Sequence, residues 1–142
     1  MRLSLHTDYG LRTLMYLSGF EQRATIGQIA DFFGISKDHL AKVVQHLTRL
    51  GLVRTMRGVG GGLELAARPE SVTIGDVIEQ LEGSTQLLEC VTAEHQICVI
   101  QRTCRLRHVL AEADRVQMEY LRSVRLSDIA KPGIQLVTIP HT

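Results

Sequence analysis

The sequence predicts a mainly α chain interrupted by one small β-hairpin and closed by a long helix. Three observations predict it. Apolar residues recur at helical spacing in four segments ahead of residue 83. A glycine-rich run at residues 58–62 separates two short stretches of strand character. From Cys104 onward another apolar stripe keeps a helical period for about twenty residues.

From Asp8, the residues Leu11, Leu14, Met15 and Leu17 share one helical face, and Gly19 is expected to close the segment. A second, short helix is expected over Ile26 to Phe33, with Ile26, Ile29, Ala30 and Phe33 on one face. Gly34 supplies a turn, and Ser36 can cap a third helix by accepting a bond from an orphan first-turn N–H. There Leu40, Val43, Val44, Leu47 and Leu50 form the inward stripe, whereas Lys37, Asp38, His39, Lys42, Gln45 and Arg49 fall off it. Gly51 ends this helix where a left-handed residue is favoured.

Leu52 to Met56, a tip at residues 57–62, and Leu63 to Leu65 read as strand, turn and strand. Three helices followed by a hairpin is the order of a winged helix-turn-helix. A fourth helix is expected from about Thr73, through Ile74, Val77, Ile78 and Leu81, to Gly83. An irregular loop follows. The long helix then runs from Cys104 to about Val124, with Leu106, Val109, Leu110, Ala113, Val116, Leu121 and Val124 on one side. The residues after Lys131-Pro132-Gly133 are expected to form a poorly ordered tail.

A chain of 142 residues with 44% hydrophobic content can build one core, and 4% aromatic residues with no Trp make that core mainly Leu, Ile and Val. The net charge of +1 excludes a bulk polycation, so any nucleic-acid affinity must come from a local patch. Such a patch exists. Between Gly34 and Gly62 stand Lys37, Lys42, Arg49, Arg54 and Arg57 against the single acid Asp38. Glu70, Asp76, Glu79, Glu82, Glu89 and Glu94 lie elsewhere. An ordinary helical hairpin needs no such segregation, whereas phosphate contacts from the third helix and the wing do. Lys37, His39, Lys42 and Gln45 would face the major groove, with Arg54 and Arg57 on the backbone or minor groove. The glycine-rich tip is no nucleotide loop, since no Lys-Ser/Thr pair follows it and a strand, not a helix, comes next.

The three cysteines, Cys90, Cys98 and Cys104, all lie in one fifteen-residue stretch. An odd, clustered set is a poor disulfide framework and a good set of thiolate ligands. Burial as small hydrophobes is the bland alternative for any one of them. Their spacing lacks the Cys-x-x-Cys knuckle common in structural zinc sites and suits a larger object such as an iron–sulfur cluster. Thr103 is a candidate N-cap beside Cys104, and a helix start favours an anionic thiolate. A fourth ligand is missing, with His95, His108 or a group from another subunit as candidates. Asp8 read alone is a first-turn carboxylate. Free cysteines and no export signal or membrane span point to a reducing cytoplasm.

The segments HTDYGLRTLMYL at 6–17, RGVGGGLEL at 57–65, IGDVIEQLEG at 74–83 and CRLRHVL at 104–110 resemble the IscR/NsrR family of iron–sulfur winged-helix regulators. The likeness extends from Leu3 to about Ala130. Within the family, TDYGLR and CRL are similar to the nitric-oxide-sensing NsrR branch. The resemblance implies a DNA-binding head at 1–83, a cluster loop at 84–103, a dimerisation helix and following turn at 104–130, and a tail at 131–142. It implies a homodimer on an imperfectly palindromic operator. The implied cluster is [4Fe–4S] in preference to [2Fe–2S], held by Cys90, Cys98, Cys104 and Asp8 of the opposite subunit. Two features depart from the family pattern. The gap between Cys90 and Cys98 is long, and Arg107 stands where the IscR branch places a histidine ligand, with His108 turned about 100° away on the helix.

The expected function is therefore a dimeric repressor that senses nitric oxide through its cluster. A redox or iron-responsive regulator of the same fold, with a [2Fe–2S] centre or free thiols, is the alternative within this class. An iron–sulfur electron carrier is the alternative outside it, disfavoured by the basic helix-turn-helix segment. No catalytic order of His, Asp and Ser suggests an enzyme.

Overall fold

The computed structural model describes residues 1–91 and 93–130; the tail expected at 131–142 lies outside the described residues. Six α-helices and one hairpin follow in the order α1 (Leu5–Phe20), α2 (Ile26–Phe33), α3 (Lys37–Arg49), β1 (Val53–Met56), β2 (Gly62–Leu65), α4 (Ile74–Glu82), α5 (Arg105–Ser123) and α6 (Leu126–Ile129). Short 3-10 turns occupy Pro69–Ser71 and Glu89–Val91. Helices α1 to α3 with the β1–β2 wing form a winged helix-turn-helix. Among the described residues no helix is long and apolar enough to cross a membrane.

Local chemistry explains most boundaries. The Ser4 hydroxyl accepts a bond from the Thr7 N–H, so α1 begins three residues earlier than its apolar spacing suggests. It also runs past Gly19 to Phe20, where Glu21 takes the left-handed conformation. Thr25 and Gln28 close a capping box on α2, and Gly34 ends it at φ 66°. Ser36 accepts from the His39 N–H at the start of α3, as its position predicts. The hairpin is antiparallel, with Val53 opposite Leu65 and Met56 opposite Gly62. Leu63 also pairs with Ala24 through 2.7 and 3.1 Å backbone bonds, which lays the wing on the α1–α2 connection. A Cβ at Gly62 would stand 2.9 Å from the Ala24 carbonyl oxygen, so the approach needs glycine.

Leu14, Ile29, Leu40, Val43, Leu47, Val53, Leu63, Val77, Leu81 and Leu126 are buried in one core. Helix α4 carries that core across to α5. A Cβ at Gly75 would fall 2.7 Å from the Arg122 nitrogen, so the two helices touch backbone to backbone there. Arg122 adds ion pairs to Glu79 (2.6 Å) and Asp76 (3.5 Å). The Ile74 N–H bonds the Val124 carbonyl, and the Leu126 N–H bonds that of Val72, each at 2.8 Å. Helix α6, which the sequence reading did not separate from the turn after α5, buries Leu126 and Ala130 beside α1. Ser18 anchors it by donating to the Ala130 carbonyl at 2.7 Å.

The apolar residues of α5 divide between two surfaces. Met118 is buried, and Leu110, Leu121 and Val124 are half-buried. Leu106, Val109, Ala113, Val116 and Tyr120 stay exposed. The single stripe expected from the sequence is therefore two.

Candidate cysteine site and nucleic-acid interface

Cys90 lies in the 3-10 turn Glu89–Val91, Cys98 on the following loop, and Cys104 at the N-cap of α5. All three are free; Cys90 and Cys104 are half-buried and Cys98 is exposed. Cys104, not the expected Thr103, occupies the cap, and its side chain makes no capping hydrogen bond. The first-turn N–H groups of α5 present partial positive charge to the thiol that precedes them. Asp8 sits in the first turn of α1, where Arg12 pairs with it at 3.0 Å. His95 and His108 are both exposed. Among the described residues no three His, Cys, Asp or Glu side chains are gathered into a metal-holding group. The donor chemistry nonetheless fits a thiolate-held centre: three free thiols on one segment, one of them at a helix N-terminus.

Three polar side chains, whose contacts the sequence did not foretell, organise this segment. The Arg107 guanidinium donates to the Cys90 carbonyl at 2.6 Å and to that of Val91 at 3.4 Å. The Asp114 carboxylate accepts from the Leu87 N–H at 3.2 Å. Gln101, only 6% exposed, accepts from the Ile97 N–H and donates to the His95 carbonyl, so its amide closes the turn bearing Cys98. The signal available in the sequence was weak: each is one polar residue in a segment rich in them.

On α3, Lys37, Lys42 and Gln45 are exposed, as the off-stripe positions predict. Lys37, Gln45, Thr48 and Arg49 line one side of a groove of about 860 Å³, with Thr25 and Thr55 opposite. His39 points elsewhere. Its ring packs 4.8 Å from that of Tyr9 on α1 and 6.4 Å from that of His6. His6 in turn meets His46 of α3, Nε2 to Nδ1, at 2.9 Å. Burial first, then the neighbouring His46 and His39, holds the His6 imidazole below its ordinary pKa.

The two wing arginines also differ. Arg57 is exposed at the tip beside the fully open Val59. Arg54 faces Glu64 across the hairpin and pairs with it at 2.6 Å, while Arg23 reaches the same carboxylate at 3.0 Å. The hydrogen bonds from Arg54 and then Arg23 hold Glu64 below the usual carboxylate range. Counting outward from the glycine tip would have revealed the Arg54–Glu64 pair, because the antiparallel register places them opposite.

Residues 3–132 match the Rrf2 family, described as an iron-dependent transcriptional regulator. The HTH-type transcriptional regulator NsrR of Bacillus subtilis is 41% identical over 133 residues, covering 92% of this chain and 91% of that protein. Among solved structures, CymR, the global cysteine regulator of B. subtilis, superposes with a TM-score of 0.74 at 28% identity, covering 92% of this chain and 96% of that one. T. potens IscR does so with a TM-score of 0.71 at 27% identity, covering 91% and 85%. These relatives are regulators and not enzymes, which accords with the missing catalytic order.

Proposed function

We propose that this chain, which belongs to the Rrf2 family of iron-dependent transcriptional regulators, is a homodimeric repressor that answers nitric oxide through an iron–sulfur cluster. The position of Cys104 carries this reading. It caps the helix whose outer stripe is uncovered, so the thiol segment and the dimer seam begin at one point. Leu106, Val109, Ala113, Val116 and Tyr120 recur at alternating steps of three and four, the spacing of a two-helix seam. A second copy of α5 is the natural cover for a stripe in which Val109 and Tyr120 are 63% and 68% exposed.

Cys90, Cys98 and Cys104 would hold the cluster, with Asp8 of the partner subunit as the fourth donor and [4Fe–4S] the preferred form. When bound, the cluster supplies iron with affinity for nitric oxide. The chain's residues do the rest. The thiols bind, and Asp8 ties the loop of one copy to α1 of the other. To ligate, Asp8 must give up Arg12. Lys37, Lys42 and Gln45 would enter the major groove of a palindromic operator, and Arg57 the backbone or minor groove. Arg54 would approach phosphate from the wing while tethered to Glu64, and His39 would brace α3 against Tyr9.

A second reading is a thiol-based regulator of the same fold, favoured by the exposure of Cys98 and the likeness to CymR. Visible and Mössbauer spectra of anaerobically purified protein, followed by nitric oxide titration with operator binding monitored, separate the two. Iron at cluster stoichiometry and DNA release on nitrosylation are expected. Iron-free protein whose operator binding follows thiol oxidation would establish the second reading instead.

A further inference from the structure

Cys90 and Cys104 are not held as Cys98 is. The Cys90 turn is fastened to α5 from the side: Arg107, one helical turn beyond Cys104, bonds the carbonyls of Cys90 and Val91. Asp114, two turns further along the same helix, bonds the Leu87 N–H just ahead of the turn. Both contacts join side chain to backbone across at least sixteen residues, so they fix the path of the segment and not merely a local turn. The Cys98 turn is instead closed upon itself. Among the described residues, the Ile97 N–H donates to the Gln101 side chain, that side chain donates to the His95 carbonyl, and the Gln101 N–H donates to the Cys98 carbonyl at 3.2 Å.

We propose that Arg107 is a positioning residue of the thiol site, clamping the Cys90 backbone onto the first turn of α5 so that Cys90 and Cys104 remain a pair when no cluster is bound. Cys98 rides on a separate, self-closed unit that joins them only when a centre is assembled. The inference rests on the cluster reading for its purpose, but the contacts of the clamp lie wholly within one chain. The bond suits that task because a charged, planar donor spanning two successive carbonyls restrains direction as well as distance. It also gives Arg107 work at a position next to the thiols without making it a ligand, since a guanidinium carries donors only.

The test uses the full-length, iron-free dimer in a Cys98→Ser background, where Cys90 and Cys104 are the only thiols. A short bismaleimide should bridge them within one chain, identified by mass spectrometry of the linked peptides. Arg107→Ala should slow bridging about tenfold through loss of a charge-assisted hydrogen bond. Arg107→Lys should recover part of the rate, because an ammonium can still reach one carbonyl. The same charge removed at exposed Arg105 should leave the rate unchanged. Amide exchange at residues 88–91 should rise in Arg107→Ala alone. Equal bridging in Arg107→Ala and its parent, or equal loss in Arg105→Ala, would overturn the clamp. Iron content of the same variants with Cys98 restored is a separate readout. A wild-type protein without iron would defeat the cluster reading while leaving the bridging result to decide the clamp.

Discussion

Glu82, the last residue of α4, fastens α1 to the rest of the head. Its carboxylate accepts from the Ser4 N–H at 3.2 Å, the Ser4 hydroxyl at 3.1 Å and the Thr7 hydroxyl. The Thr7 bond first, and the Ser4 bonds after it, hold Glu82 below the usual carboxylate range. A group whose folded pKa is depressed stabilises the fold above its unfolded value and loses that contribution as pH falls through the folded one. Glu82→Gln should therefore cost about 1 kcal/mol in neutral urea melts, the low end for a charged hydrogen bond because solvent screens it. The difference should shrink as pH falls below the ordinary value of 4.5. Equal stability at pH 7 would leave Glu82 without this role. The same attention to single partners separates the basic residues. Lys42→Ala and Arg57→Ala should each lower the log–log salt slope of operator binding by about 0.9. Arg54→Ala should lower it by less, since Glu64 already shares that charge; an equal drop would mean that Arg54 leaves Glu64 on the DNA.

One face of α5 packs inside the chain and the other is exposed, and a substitution on the exposed face tests the proposed dimer seam directly. Val116→Asp should raise the dimer dissociation constant by at least about tenfold in sedimentation experiments, since an unpaired charge would replace a valine that the proposed seam covers. The melting of the head should hold, because Val116 is 51% exposed within the chain. An unchanged dimer would place the seam elsewhere. The two faces were not separable from periodicity, since both are apolar and nothing local tells a neighbour in the same chain from one in another. What local rules govern was legible: the bounds of α2, the Ser36 cap and the left-handed Gly34 all follow from capping chemistry and spacing. The start of α1 was not, because its period begins only after the cap. Nor was α6, whose four residues are too few to show a period and are held by Ser18 and Val72. At the site, the cysteines announced themselves by composition. Arg107, Asp114 and Gln101 did not, because their meaning lies in backbone atoms that only folding brings within reach.

Across the whole molecule, Asp8 is paired with Arg12 of its own helix, whereas the proposed cluster would draw it to a neighbouring copy. Asp8→Ala should keep the dimer, release iron to a chelator faster than the wild type, and bind operator with less dependence on the cluster. If iron release and operator affinity both match the wild type, Asp8 serves α1 and Arg12 alone, and His95 or His108 becomes the next donor to test. In the proposed sensor, how far an event at the thiols travels would be set at the opposite end of α5. Some eighteen residues, about 27 Å, separate Cys104 from Arg122. At Arg122 the helix is pinned by the bare backbone of Gly75 and by the carboxylates of Asp76 and Glu79. That arrangement is a lever with its fulcrum beside the DNA-binding head. A tilt of about 5° carries one end roughly 2 Å relative to the other, a useful error against a half-site spacing of about 34 Å. In the proposed sensor, the stiffness of that fulcrum would fix how much of the displacement reaches the operator. Gly75 lies where α4 and α5 meet backbone to backbone, so in the proposed sensor it would set the gain of the device.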